Sequence, residues 1–88
     1  MNQSVWKFEF YVEDEASIKM PLGAEVVAVG RQNEGAICLW AICDVNAITV
    51  NRRFSVRGTG HPTDNVSGPY LGTAFDGPFV WHVFGSKS

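Results

Sequence analysis

Charge is scarce in this chain. Only 18% of its 88 residues are Asp, Glu, Lys or Arg, and the net charge is −2. Such a balance supplies no general field for holding an extended nucleic-acid backbone. Long apolar runs are missing too. None approaches the roughly 20 residues that a membrane-spanning helix needs. The opening MNQSVWKFEF has no basic segment followed by an apolar one, so it does not read as a secretion signal. Cysteine is limited to Cys38 and Cys43. On one extended strand their Cα atoms would lie about 16 Å apart, well beyond the 7 Å or so that a disulfide allows. Their odd spacing sends them to opposite faces, so both read as reduced, small core residues. The two histidines and two cysteines show no short paired spacing of the zinc type, and no cofactor motif is present. Helix-forming sequence is confined to EDEAS (Glu13–Ser17), too short to nucleate alone. Its acids Glu13, Asp14 and Glu15 read as a solvated turn.

Apolar residues make up 45% of the chain, including six Phe, two Tyr and three Trp. Aromatic and β-branched residues recur in short runs split by Gly, Pro, Asn and Asp, the pattern of strands and turns. Seven runs are predicted as strands: Val5–Val12, Ser17–Met20, Glu25–Arg31, Ala36–Cys43, Arg52–Arg57, Tyr70–Phe75 and Phe79–Phe84. In the first, Trp6, Phe8, Phe10 and Val12 share one face. The fourth is apolar on both faces, which fits a central strand or one under an interface. Turns are predicted at Pro21-Leu22-Gly23, Asn33–Gly35 and Asp76-Gly77. The expectation is a single all-β domain over residues 1–88. It would be a small antiparallel β-sandwich or partly open barrel of six to seven short strands. So short a chain has a small core, and self-association into a homo-oligomer would extend it.

The main candidate site is the stretch RRFSVRGTGHPTD, Arg52–Asp64. Arg53 and Arg57 lie on one strand face, and guanidinium forks suit phosphate or carboxylate. The backbone of Gly58, Thr59, Gly60 and His61 offers close approach and an anion nest. The pattern is not G-x-G-x-x-G, and no helix follows it. The competing reading is a structural turn with solvated arginines. His61 beside Thr59 or Asp64 admits a hydrolase, although no nucleophile elbow is present. His82, within FVWHVF, reads as a packed, hydrogen-bonded strand residue. Trp6, Phe8, Phe10, Phe79 and Trp81 form either core or a binding platform.

The ordered blocks VWKFEF, IKMPLGAEVVAV, LWAI, RRFSVRGTGHP, YLGT and FVWHVF resemble a family of small proteins from tailed bacteriophages and prophages. The similarity spans nearly the whole chain. Its strongest parts are Arg52–Pro62 and Phe79–Phe84. The chain departs from the family at Cys43-Asp44-Val45, where a proline is expected after the aspartate. The family has no established activity, so the resemblance carries over no catalytic residue. It implies a phage accessory protein in the host cytoplasm. Such proteins often act by binding, either blocking a host defence protein or sequestering a small nucleotide signal. The expectation is therefore a non-enzymatic binder of a small anionic, nucleotide-like ligand through Arg53, Arg57 and Gly58–His61. A protein-binding inhibitor or virion-assembly accessory is the alternative, and a small hydrolase using His61 comes third.

Overall fold

A computed structural model describes residues 2–88. Seven strands run through it: β1 (Gln3–Tyr11), β2 (Glu15–Pro21), β3 (Glu25–Gly30), β4 (Ala36–Asp44), β5 (Thr49–Gly58), β6 (Tyr70–Asp76) and β7 (Phe79–Gly85). All pairings are antiparallel. They form a three-stranded sheet in the order β1-β4-β3 and a four-stranded sheet in the order β2-β5-β7-β6. The two sheets are not closed into a barrel. No helix among the described residues is long and apolar enough to cross a membrane.

Every predicted strand is present, and most are longer at their ends. β5 begins at Thr49 rather than Arg52, and β2 takes in Glu15. Glu15 therefore lies outside the solvated turn expected for the acidic stretch. It is a strand residue paired with Ser55 of β5. The three turns also form. Gly35 and Gly77 adopt φ values of 74° and 57°, completing the β3–β4 and β6–β7 hairpins. At Pro21–Ala24, the Ala24 N–H donates to the Pro21 carbonyl and Gly23 takes φ 78°. Pro21 thus opens the turn, and Gly23 supplies the positive φ of a type II turn.

The core lies between the sheets. Ile37, Leu39, Ala41 and Cys43 project into it from β4, where they meet Phe54, Val56, Met20, Ala74 and Val83. The opposite face of β4 is buried as well at Ala36 and Cys38, which accounts for its unbroken apolar run. Cys38 and Cys43 are both free and buried, and burial pushes both thiols up in pKa. At one end of the sandwich Arg52 donates to the carbonyls of Ala24 (2.6 Å) and Ser86 (2.8 Å), with its guanidinium over the Phe54 ring. It ties β5 to the β2–β3 turn and to the C-terminal segment.

The two seams between the sheets differ. At one, β3 packs beside β6. A Cβ on Gly72 would lie 2.9 Å from that of Val29, and Arg31 pairs with Asp76 (3.2 Å) while donating to the Phe75 carbonyl (2.8 Å). At the other, β1 and β2 barely touch. Phe8 and Phe10 therefore pack against the core without being fully covered, and Trp6, in the same row, keeps 39% of its surface exposed.

Gly85 tests how tightly the core is filled, because a Cβ there would fall 2.5 Å from Phe54 Cδ1. Gly85→Ala should destabilise the domain by about 1–3 kcal/mol, as overpacking does. The measurement is the urea midpoint against wild type, and an unchanged midpoint would contradict the packing described.

Candidate functional site

The stretch after β5 folds as a turn. The His61 N–H donates to the Gly58 carbonyl (3.0 Å), and Gly60 takes φ 90°. Gly58-Thr59-Gly60-His61 thus has type II geometry, which calls for glycine at its third position. Because the His61 amide closes the turn, it is not available to an anion nest.

The turn also walls a half-open cleft of about 270 Å³. Its lining comes from the turn, at Gly58, Thr59 and His61, and from the start of β7 and the residue before it, at Pro78, Phe79, Val80 and Trp81. Pairing of Gly58 with Trp81 in the β5–β7 ladder brings the two segments together. The rings of Phe79 and Trp81 stack at 5.6 Å with an interplanar angle of 18°. Gly58 lies beneath His61, since a Cβ there would come within 3.1 Å of the imidazole and 3.4 Å of the Trp81 ring. The Trp81 indole nitrogen is buried without a hydrogen-bond partner, the only such side-chain atom among the described residues.

Of the sequence-predicted residues, Gly58, Thr59 and His61 reach this cleft, with Gly60 at the exposed tip of their turn. Arg53 and Arg57 do not line it. They share the outer face of the four-stranded sheet, as their spacing required, and both turn toward Glu15. Arg57 pairs with it at 3.1 Å and donates to the Asp14 and Val56 carbonyls (2.8 and 3.0 Å). Arg53 stands 3.9 Å away with 70% of its side chain exposed. Ser55 and Ser67 complete the cluster, with Oγ atoms 2.8 and 3.1 Å from Glu15 Oε1. The Ser67 N–H donates to Ser55 Oγ (2.8 Å).

A second polar chain adjoins the cleft. His82 Nε2 lies 2.7 Å from Thr59 Oγ1, and its Nδ1 lies 2.8 Å from the Tyr70 hydroxyl. That hydroxyl also bonds Thr73 Oγ1. A neutral imidazole donates through one nitrogen and accepts through the other, so His82 can join both hydroxyls at once. The imidazole touching the Thr59 hydroxyl is therefore that of His82, while His61 packs on Gly58. His82 is the hydrogen-bonded strand residue its sequence context suggested. Its partners were invisible there, because they depend on the pairing of β7 with β6 and on the turn after β5.

A family described as Domain of unknown function (DUF7352) matches residues 1–88. The chain belongs to this family. No curated protein and no solved structure matches it. In this member of the DUF7352 family, the site has to be read from its own geometry.

The ionic cluster makes a distinct prediction. The Ser55 hydrogen bond, with those of Arg57 and Ser67, holds the Glu15 carboxyl below its ordinary pKa against the opposing effect of burial. A carboxyl depressed in the folded state stabilises above its unfolded pKa, and that contribution is lost as pH falls through the folded value. Glu15→Gln should therefore lower the urea midpoint near neutrality, and the gap from wild type should narrow below about pH 4. A gap constant with pH would show that the charge contributes nothing.

Proposed function

We propose that this chain is a non-enzymatic binding module, a phage accessory protein that counteracts host defence by sequestering a planar, nucleotide-like ligand. One observation carries the reading: the stacked Phe79–Trp81 pair lines the same cleft as the turn that holds Thr59 and His61. A base slots onto an aromatic face whatever its identity, and such stacking contributes about 1–3 kcal/mol per base. The cleft combines polar groups, at Thr59 and His61, with an aromatic surface at Phe79 and Trp81. That combination suits a ligand with an apolar plane and a polar or charged edge. The phage setting rests on the resemblance of the sequence blocks and not on the geometry.

The arginines take different parts in this reading. Arg57 is committed to the fold, with a side chain only 16% exposed and locked onto Glu15 and Asp14. Arg53, loosely held and exposed, is the one free to meet an anionic group on the outer face. The exposed apolar side chains of Val5, Tyr11 and Val27 favour a second reading, a protein-binding inhibitor or virion-assembly accessory.

Isothermal calorimetry against cyclic oligonucleotides, mononucleotides and ADP-ribose derivatives tests the proposal. At least one should bind. Phe79, 56% exposed, can be shortened without opening the core. Phe79→Ala should weaken binding roughly 5- to 150-fold, the equivalent of one lost stack. Arg53→Ala should leave binding unchanged, since Arg53 stands on the outer face away from the cleft. Silence across the whole panel would dismiss sequestration, and specific recovery of one protein from infected lysate would then support the second reading.

A further inference from the structure

The edge of β1 stands open. β1 ends the order β1-β4-β3 and pairs with β4 alone, in continuous register over all nine residues. Two flanking bonds show which way its backbone faces. Val45 N–H donates to the Asn2 carbonyl, and Val12 N–H to that of Gly35. Even-numbered residues of β1 therefore turn their backbone groups toward β4. Because the direction alternates strictly along an antiparallel ladder, Gln3, Val5, Lys7, Glu9 and Tyr11 aim theirs at the free edge. Edge strands are ordinarily blunted by charged side chains, proline, a bulge or a covering segment, and the two charges on β1, Lys7 and Glu9, are of opposite sign, so they oppose pairing only in some registers. β1 has no proline or bulge, and β2 does not cover it.

We infer that two copies of this chain pair β1 against β1, antiparallel, about a two-fold axis through Phe8. The charge order selects this register. A two-fold pairing centred on Lys7 sets Lys7 against Lys7, and one centred on Glu9 sets Glu9 against Glu9. Centred on Phe8, each Lys7 faces the other copy's Glu9. The free-edge backbone groups of residues 5, 7, 9 and 11 then meet their counterparts directly. On the inner face, Trp6 meets Phe10 and Phe8 meets Phe8; on the outer face, Val5 meets Tyr11. Cross-strand aromatic and opposite-charge pairs of this kind stabilise sheets, and like charges oppose them. The pairing also covers what the open seam leaves bare: Trp6 at 39% exposure, Val5 at 59% and Tyr11 at 76%. Both three-stranded sheets merge into one, β3-β4-β1 continuing into β1-β4-β3 of the second copy. A second copy fits better than an unrelated peptide, because the strand is complementary to itself in charge and in side-chain size. The surface is separate from the cleft, which belongs to β5 and β7, so this inference and the ligand reading fail independently.

The test is sedimentation equilibrium and native mass spectrometry of the intact chain at micromolar concentration, with hydrogen exchange alongside. Wild type should be a dimer. Lys7→Glu and Glu9→Lys should each weaken it about tenfold or more, since two attractive pairs become repulsive. Mixing those two variants should restore dimers, because every Glu then faces a Lys. Val5→Pro removes one free-edge donor while sparing the bonds to β4, and should be monomeric with an unchanged circular dichroism spectrum. The amides of Val5, Lys7, Glu9 and Tyr11 should exchange slowly only in the dimer. A monomeric wild type overturns the inference. So does a dimer in which those four amides exchange freely, or one that ignores both charge reversals.

Discussion

A buried hydroxyl governs the outer face of the four-stranded sheet. Ser55 is fully enclosed, the one polar side chain so placed among the described residues. A hydroxyl removed from water has to find partners inside the protein. Those partners are Glu15, 40 residues earlier, and Ser67, 12 residues later. Ser55 is therefore satisfied only when β2 lies beside β5 in the observed register and when the long loop returns across the sheet to bring Ser67 into place. Arg57 completes the arrangement by balancing the Glu15 charge that the two serines hold. Pairing at the base of the loop then fixes the turn at its start. Breaking a cluster of this kind at one member strands the others, so its parts stand or fall together.

The two seams of the sandwich divide its tasks. The β3–β6 seam is shut by a glycine that lets two strands approach and by an ion pair beyond it. Closure there holds the β6–β7 hairpin against the first sheet, so Phe79 and Trp81 stand on a braced hairpin. The β1–β2 seam lacks both devices, and its aromatic row is left with one side uncovered. A chain this short cannot enclose every aromatic residue with its own strands. The exposed aromatic residues fall in two places, Trp6 and Tyr11 on β1 and Tyr70, Phe75 and Phe79 on the β6–β7 hairpin.

Much of the fold could be read from the residues in order. Alternation located β1 and β5, the doubly apolar run marked β4 as central, and Gly35 and Gly77 placed the two hairpins. What sequence order did not disclose was pairing between distant strands. Glu15 looked solvated because its neighbours Glu13 and Asp14 are acidic; its real environment is set by β5. The arginines were correctly placed on one face, but the carboxylate that occupies them lies about 40 residues away and no local pattern joins the two. His82 was legible as a strand residue and not as the link between Thr59 and Tyr70. Local chemistry shows at short range, whereas a site assembled across a sheet becomes visible only with the register.

The glycines of the RGTGHP stretch show why a turn and a cleft wall need not be rival readings. Gly60 meets a conformational demand: its φ of 90° suits the third position of the turn, and a Cβ there would touch nothing. Gly58 meets a spatial one. Its φ is unexceptional, yet a side chain would push against the His61 imidazole and the Trp81 ring. A turn needs only the first glycine of these two kinds. The second is needed because a histidine is laid over the backbone toward an aromatic strand, and the space it protects is the floor of the cleft. The turn is thus how the chain brings Thr59 to His82 and His61 to Trp81 within four residues, and the opening between them follows from that convergence.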